Sequence, residues 1–133
     1  MRAIPLGAKG SSVLVVEPQH LANQFKDATL PPVLATPMMI LIMENAALNA
    51  IRNYLEPGES AVGTAVDVRH VAATPAGQRV TAEAEVTWVE GRRIAFAVTA
   101  HDEVEEIGKG IHERVVVDLR RLAQRLTAKH SCG

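Results

Sequence analysis

The sequence predicts an α+β domain in which a curved antiparallel sheet wraps around one long buried helix, with a second copy of the chain covering the far side. Three observations carry this. A helix punctuated at both ends is apolar on every side through its first half; four strand-like segments joined by short connections follow it; and one strand precedes it while a short helix closes the chain. A helix with no polar face has to be covered all round. A curled sheet covers one side of it, and a partner subunit is the natural source of the second wall.

The first strand is the run Val13-Leu14-Val15-Val16 within Ser11 to Glu17, rich in β-branched residues. Pro18 to Pro32 is irregular and reads as a loop with one helical turn around Leu21 to Phe25. The long helix opens at Thr36-Pro37, a hydroxyl suited to capping free amides followed by a proline suited to the first helical position. It runs to about Tyr54, where Leu55-Glu56-Pro57-Gly58 stops it. Met38 to Met43 is apolar without interruption. Strands are expected over Ala61–Val71, Gln78–Val89, Arg93–Asp102 and Ile107–Asp118. In the second of these, Val80, Ala82, Ala84, Val86 and Trp88 face one way and Thr81, Glu83, Glu85 and Thr87 the other. Links at Thr74-Pro75-Ala76-Gly77, Glu90-Gly91-Arg92 and Glu103 to Glu106 are short, so consecutive strands are expected to pair antiparallel. A final helix from Leu119 to about Lys129 carries Leu119, Leu122, Ala123 and Leu126 on one side.

Length and composition bound the function. A chain of 133 residues supports one domain, taken as residues 1–133. Hydrophobic residues make up 47% and aromatics 3%, so the core is built from aliphatic side chains. Fourteen basic against fifteen acidic residues leave no cationic surplus for nucleic acid. The apolar stretch from Val33 to Ile51 is broken by Thr36, Pro37, Glu44, Asn45 and Asn49 and is too polar to span a bilayer. Met1-Arg2-Ala3-Ile4-Pro5 does not read as a signal peptide. Cys132 is the single cysteine, so no disulfide can form within the chain and a reducing compartment fits. The expectation is a soluble, cytoplasmic protein.

Glu44 stands out, because a carboxylate in the middle of a buried helix is costly unless paired, hydrogen-bonded or protonated. It is either a reactive group or a structural one bonded to backbone or to Asn45 or Asn49. Thr36 precedes it by eight residues, ~12 Å of helical rise. The two cannot meet within one regular helix, so either the chain bends back at Thr36 or they meet across a subunit boundary. Thr36 is at least a helix cap, and a cap hydroxyl lies beside amides able to stabilise an oxyanion. His70 ends the strand that follows the helix. His20, His101 and His130 read as ordinary surface histidines, and His112, after Gly108-Lys109-Gly110, as structural. No pair of histidines has metal-ligand spacing on a helix, so no metal and no cofactor are expected.

Ala35-Thr36, Met43-Glu44, Tyr54-Leu55-Glu56-Pro57-Gly58-Glu59, Gly63-Thr64-Ala65, His70 and Ala72-Ala73-Thr74-Pro75 together resemble the fluoroacetyl-CoA thioesterase family. So do Val89-Glu90-Gly91-Arg92-Arg93, Ala100-His101-Asp102, Glu106-Ile107-Gly108 and His112-Glu113-Arg114. The resemblance covers roughly Val33 to Asp118 in order and spacing, well beyond one short motif. It implies the hotdog fold, a homodimer or higher homo-oligomer, and an acyl-CoA substrate. It also implies that Thr36, Glu44 and His70 are the reactive residues and that Gly63 lies near the substrate carbonyl. Fluoroacetate-selective members carry phenylalanines in a lid before the reactive threonine. Here Lys26 to Pro31 has none, Leu30 takes the nearest place, and Phe25 is out of register, so fluoroacetyl selectivity is not expected.

The expected reaction is hydrolysis of a short-chain acyl-CoA. The helix N-terminus and the Gly63 amide polarise the carbonyl, Glu44 attacks or activates water, and His70 orients it or moves protons to the departing thiolate. Thr36 positions these groups or is itself the nucleophile. Arg69, Arg92, Arg93 and Lys109 are candidate partners for the CoA phosphates, though each reads first as an ordinary solvated strand charge. Two rivals stand beside this reading. An enoyl-CoA hydratase would want a histidine placed with the acid on the helix and its preceding loop. A non-catalytic acyl-CoA binding dimer would tolerate loss of Glu44 and His70.

Overall fold

The computed structural model describes residues 1–132. Strand β1 (Lys9–Val15) leads through a 3-10 turn and the short helix α1 (Ala22–Phe25) to the long helix α2 (Thr36–Ile51). Four long strands follow: β2 (Glu59–His70), β3 (Arg79–Glu90), β4 (Arg93–His101) and β5 (Glu106–Asp118), then helix α3 (Leu119–Cys132). The strands form one antiparallel sheet in the order β1-β3-β4-β5-β2.

That order corrects one expectation. β3–β4 and β4–β5 pair as consecutive neighbours, but β2 does not pair with β3; it lies at the far edge against β5. Residues 71–78 therefore form a crossing link, not a hairpin. The crossing is fastened inside the protein: Thr74 is fully buried, its hydroxyl donates to Asp102 Oδ2 at 2.8 Å, and its carbonyl accepts from Leu34 N at 2.8 Å. Tertiary bonds of this kind override the local signal of Pro75 and Gly77.

The core lies between α2 and the inward residues of β3, β4 and β5. Val80, Ala82, Ala84 and Val86 alternate with exposed or half-buried neighbours, as do Ile94, Phe96, Val98 and Ala100. Met39, Ile42, Met43, Ala46, Ala47 and Ala50 face them from the helix. β1 crosses α2 at Gly10, where any side chain would collide with the backbone of Ala46 and Ala50. Helix α2 is not covered all round within one chain. Pro37, Leu41 and Asn45, one helical turn apart, lie exposed on the side away from the sheet. Edge strand β2 is exposed from Val62 to Asp67. Five strands suffice to enclose one side of the helix and leave the other open.

Candidate active site

Thr36 is not the helix cap. Ala35 occupies the capping position with extended backbone (φ −69°, ψ 138°), so Thr36 is already helical and its hydroxyl is free of the capping role. The hydroxyl instead lies 2.8 Å from His70 Nδ1. Both ends of this contact are held: Ala35 N donates to the His20 carbonyl at 2.9 Å, and Val71 N donates to the Ile107 carbonyl at 2.7 Å. Burial pushes the His70 imidazole below the ordinary histidine value of 6.5, with the Ala72 backbone opposing weakly. Nε2 of His70 is buried and makes no hydrogen bond of good geometry, so burial is the stronger influence and the neutral, basic ring is favoured near neutral pH. Thr36 and His70 line a cavity of about 350 Å³ with Lys26, Leu30, Val33 and Leu34.

Glu44 stands apart from this pair. Helix α2 is unbroken from Thr36 to Ile51, so the eight-residue separation amounts to ~12 Å along one rod. The chain does not bend back at Thr36. Asn49 does not hold Glu44 either, because its amide donates to the Ser11 carbonyl and its oxygen accepts from Arg52. The carboxylate faces Gly63 across the edge of the sheet. A side chain begun at Gly63 would stand 2.9 Å from Glu44 Oε2, 3.2 Å from His112 Cε1 and 3.7 Å from Arg114 Nη1. Glycine leaves that point open, and three polar groups surround it.

The five residues singled out by sequence thus form two clusters in one chain: Thr36, His70 and Leu30 in one, Glu44 and Gly63 in the other. The second contains two groups that sequence reasoning set aside. His112 is 1% exposed and Arg114 8%. His112 Nδ1 lies 2.8 Å from the Ala65 carbonyl and Nε2 lies 3.1 Å from Arg114 Nη1, while Arg114 Nη2 donates to the Ala61 carbonyl at 2.6 Å. A signal for them existed. In β5, positions 112, 114 and 116 share one parity, and Val116 marks it as the inward face. A histidine and an arginine on that face require partners.

The cations considered for phosphate contact fall in two places, with Arg69 and Lys109 opposite one another in the β2–β5 register and both exposed. Arg92 pairs with Glu59 at 3.2 Å, Arg93 lies 3.9 Å from Glu113 and 5.8 Å from the Trp88 ring centre. A larger groove of about 780 Å³, lined by Arg92, Val117, Arg121 and Arg125, lies beside α3 and holds none of the reactive candidates. Among the described residues no three His, Cys, Asp or Glu side chains gather as a metal-ligand set; the side chain of Cys132 lies outside them.

Comparison with known proteins places this geometry in a group. The family described as fluoroacetyl-CoA-specific thioesterase (FlK) matches residues 16–120. The fluoroacetyl-CoA thioesterase of Streptantibioticus cattleyicolor is 48% identical over 106 residues, covering 80% of this chain and 76% of that protein. The solved structure of the fluoroacetyl-CoA thioesterase FlK superposes with a TM-score of 0.89 at 41% identity, over 96% of this chain and 98% of that one. Variants of that enzyme have been solved with acetyl-CoA and with fluoroacetate and CoA. A Thermus thermophilus protein of the thioesterase superfamily superposes with a TM-score of 0.90 at 32% identity over the whole of both chains.

Proposed function

We propose, from the premise that this chain belongs to the fluoroacetyl-CoA-specific thioesterase (FlK) family and is therefore a hotdog-fold thioester hydrolase, that it cleaves short-chain acyl-CoA through a Thr36–His70 pair. The observation that carries the reading is the 2.8 Å contact between Thr36 Oγ1 and His70 Nδ1. With the ring proton on Nε2, Nδ1 accepts the threonine proton as the oxygen attacks the thioester carbon. The C–S bond breaks, the proton passes from His70 to the CoA sulfur, and water then releases the acid from the acyl-threonine. The same imidazole can instead activate water directly, with Thr36 orienting it. A quench that traps an acyl group on Thr36 distinguishes the two.

Glu44 and Gly63 join this site from a second subunit in the same proposal. An unbroken α2 keeps Thr36 and Glu44 apart within one chain, and the exposed stripe of α2 beside the exposed edge β2 supports a homodimer or a higher homo-oligomer. The cavity at Thr36 supports an acyl pocket with Leu30 in its lining. With leucine there, the site lacks the aromatic lid of fluoroacetate-selective relatives, which supports a range of short acyl groups. No helix among the described residues is long and apolar enough to cross a membrane, and a cytoplasmic site of action is part of the proposal.

The test is free-thiol release from acyl-CoAs of two to eight carbons, fluoroacetyl included, with wild type, Thr36→Ala and Glu44→Ala. Both variants are expected to lose activity. Mixed and reassembled, they should regain about a quarter of wild-type activity, since half the dimers would carry one intact composite site. No thiol release from any acyl-CoA, with binding retained, would leave a binding module instead. No recovery on mixing would place all the reactive groups in one chain.

A further inference from the structure

The buried pair His112–Arg114 has no part in the Thr36–His70 chemistry, yet it occupies an expensive position. An arginine and a histidine with 8% and 1% exposure, on the inward face of a strand, are costly to bury and need hydrogen bonds to offset that cost. Those bonds converge on a single irregularity in the edge strand. The β2–β5 register shifts between Gly63 and Ala65, leaving Thr64 as the extra residue, and a bulge of this kind re-aims backbone groups. The two carbonyls that bracket it, Ala61 and Ala65, are the ones taken by Arg114 Nη2 and His112 Nδ1.

The tautomer follows from the partners. Nδ1 faces a carbonyl and must carry the hydrogen, so Nε2 keeps its lone pair and accepts from Arg114 Nη1 at 3.1 Å. His112 is thereby a neutral spacer, its plane fixed by stacking on Phe96 (ring centres 5.9 Å apart, planes inclined 25°). Burial and the Arg114 charge lower its proton affinity, while the Ala65 carbonyl, Glu44 and Glu113 oppose them. Arg114 Nη1, His112 Cε1 and Glu44 Oε2 all border the open point above Gly63.

We propose that His112 and Arg114 are positioning residues for Glu44: the bulge carbonyls fix His112, His112 fixes the arginine fork, and the fork holds a fixed positive charge beside the Glu44 carboxylate. This rests on the hydrolase reading for its kinetic consequence, but not for its structural one. The guanidinium makes no direct ion pair with Glu44 among the described residues, so its action is through the field across the gap. Arg114 Nε is buried without a partner, which marks the fork as constrained by its Nη contacts.

Two measurements test it. The first is kcat and KM for thiol release by Arg114→Met, Arg114→Lys and His112→Asn, each alone and combined with Glu44→Ala. Loss of a positioned charge is expected to lower kcat about tenfold or more with KM within about threefold, with Lys recovering part of it. Read on the residual turnover of Glu44→Ala at high enzyme concentration, the same changes should do nothing further. Equal losses in both backgrounds, or a rise in KM alone, would overturn the proposal and make Arg114 a substrate contact. The second needs no turnover: nitrogen NMR of the His112 ring. Its titration midpoint should fall in Glu44→Gln and rise in Arg114→Met, which removes the charge. A midpoint unmoved in both, with the folded spectrum retained, would show that the three groups are not coupled. An inactive wild type would sink the hydrolase reading and leave this second result standing.

Discussion

At Gly63 one methyl group decides whether the gap between Glu44, His112 and Arg114 stays open. Gly63→Ala is expected to keep the fold, because its nearest conflict is a flexible carboxylate tip at 2.9 Å. Turnover should fall about a hundredfold, the order seen when a catalytic group is displaced by ~1 Å. Thiol release beside a thermal melt checks this; full activity in the variant would mean that nothing reacts there. The histidines carry a second prediction. His70 and His112 both have folded proton affinities below the ordinary 6.5, chiefly through burial. The unfolded chain then binds more protons below that value, so stability is full above pH 6.5 and is lost as the pH falls toward the lowered folded values. The melting midpoint should decline between pH 7.5 and 5.5, less steeply in His112→Asn; identical slopes would remove His112 from the account. The candidate residues were legible as candidates from chemistry and resemblance, since a carboxylate inside an apolar helix is conspicuous. The partner of Thr36 was not, because whether a hydroxyl caps a helix or turns to a histidine 34 residues away depends on which residue adopts the extended cap conformation.

Among the elements, α2 and the three central strands were legible because alternation and punctuation are local properties. The observed ends differ from expectation by a few residues at most: α2 closes at Ile51 with a 3-10 turn reaching Tyr54, and β1 begins at Lys9 instead of Ser11. The place of β2 was not legible. Proline and glycine at 75 and 77 look like a turn, and only the buried Thr74–Asp102 bond reveals the crossing. Nor does sequence tell that Gly10 is a contact between layers, since glycine in a strand reads first as a weakness. Gly10→Ala would drive a methyl into the backbone of α2 at Ala46 and Ala50. It should cost about 3 kcal/mol, the upper range for overpacking, measurable by urea denaturation. A cost below 1 kcal/mol would mean that β1 slides on the helix.

For the whole molecule the open question is what covers the bare side. Leu41 is 44% exposed on the helix, and Val66 41% and Val62 39% on the unpaired strand edge; an open edge carrying apolar side chains is an arrangement proteins normally cover. Leu41→Glu and Val66→Lys are expected to convert the assembly to monomers in light scattering and to abolish thiol release together. Active monomers would refute the shared site. The sequence leads one to expect a second wall because Met38 to Met43 has no polar face, but it does not show that β2 would be the exposed edge beside it. Helix α2 has one more consequence. Inserting or deleting a single residue between Thr36 and Glu44 would turn one against the other by about 100° and shift them ~1.5 Å. This stretch of the rod is a ruler whose graduations cannot be renumbered.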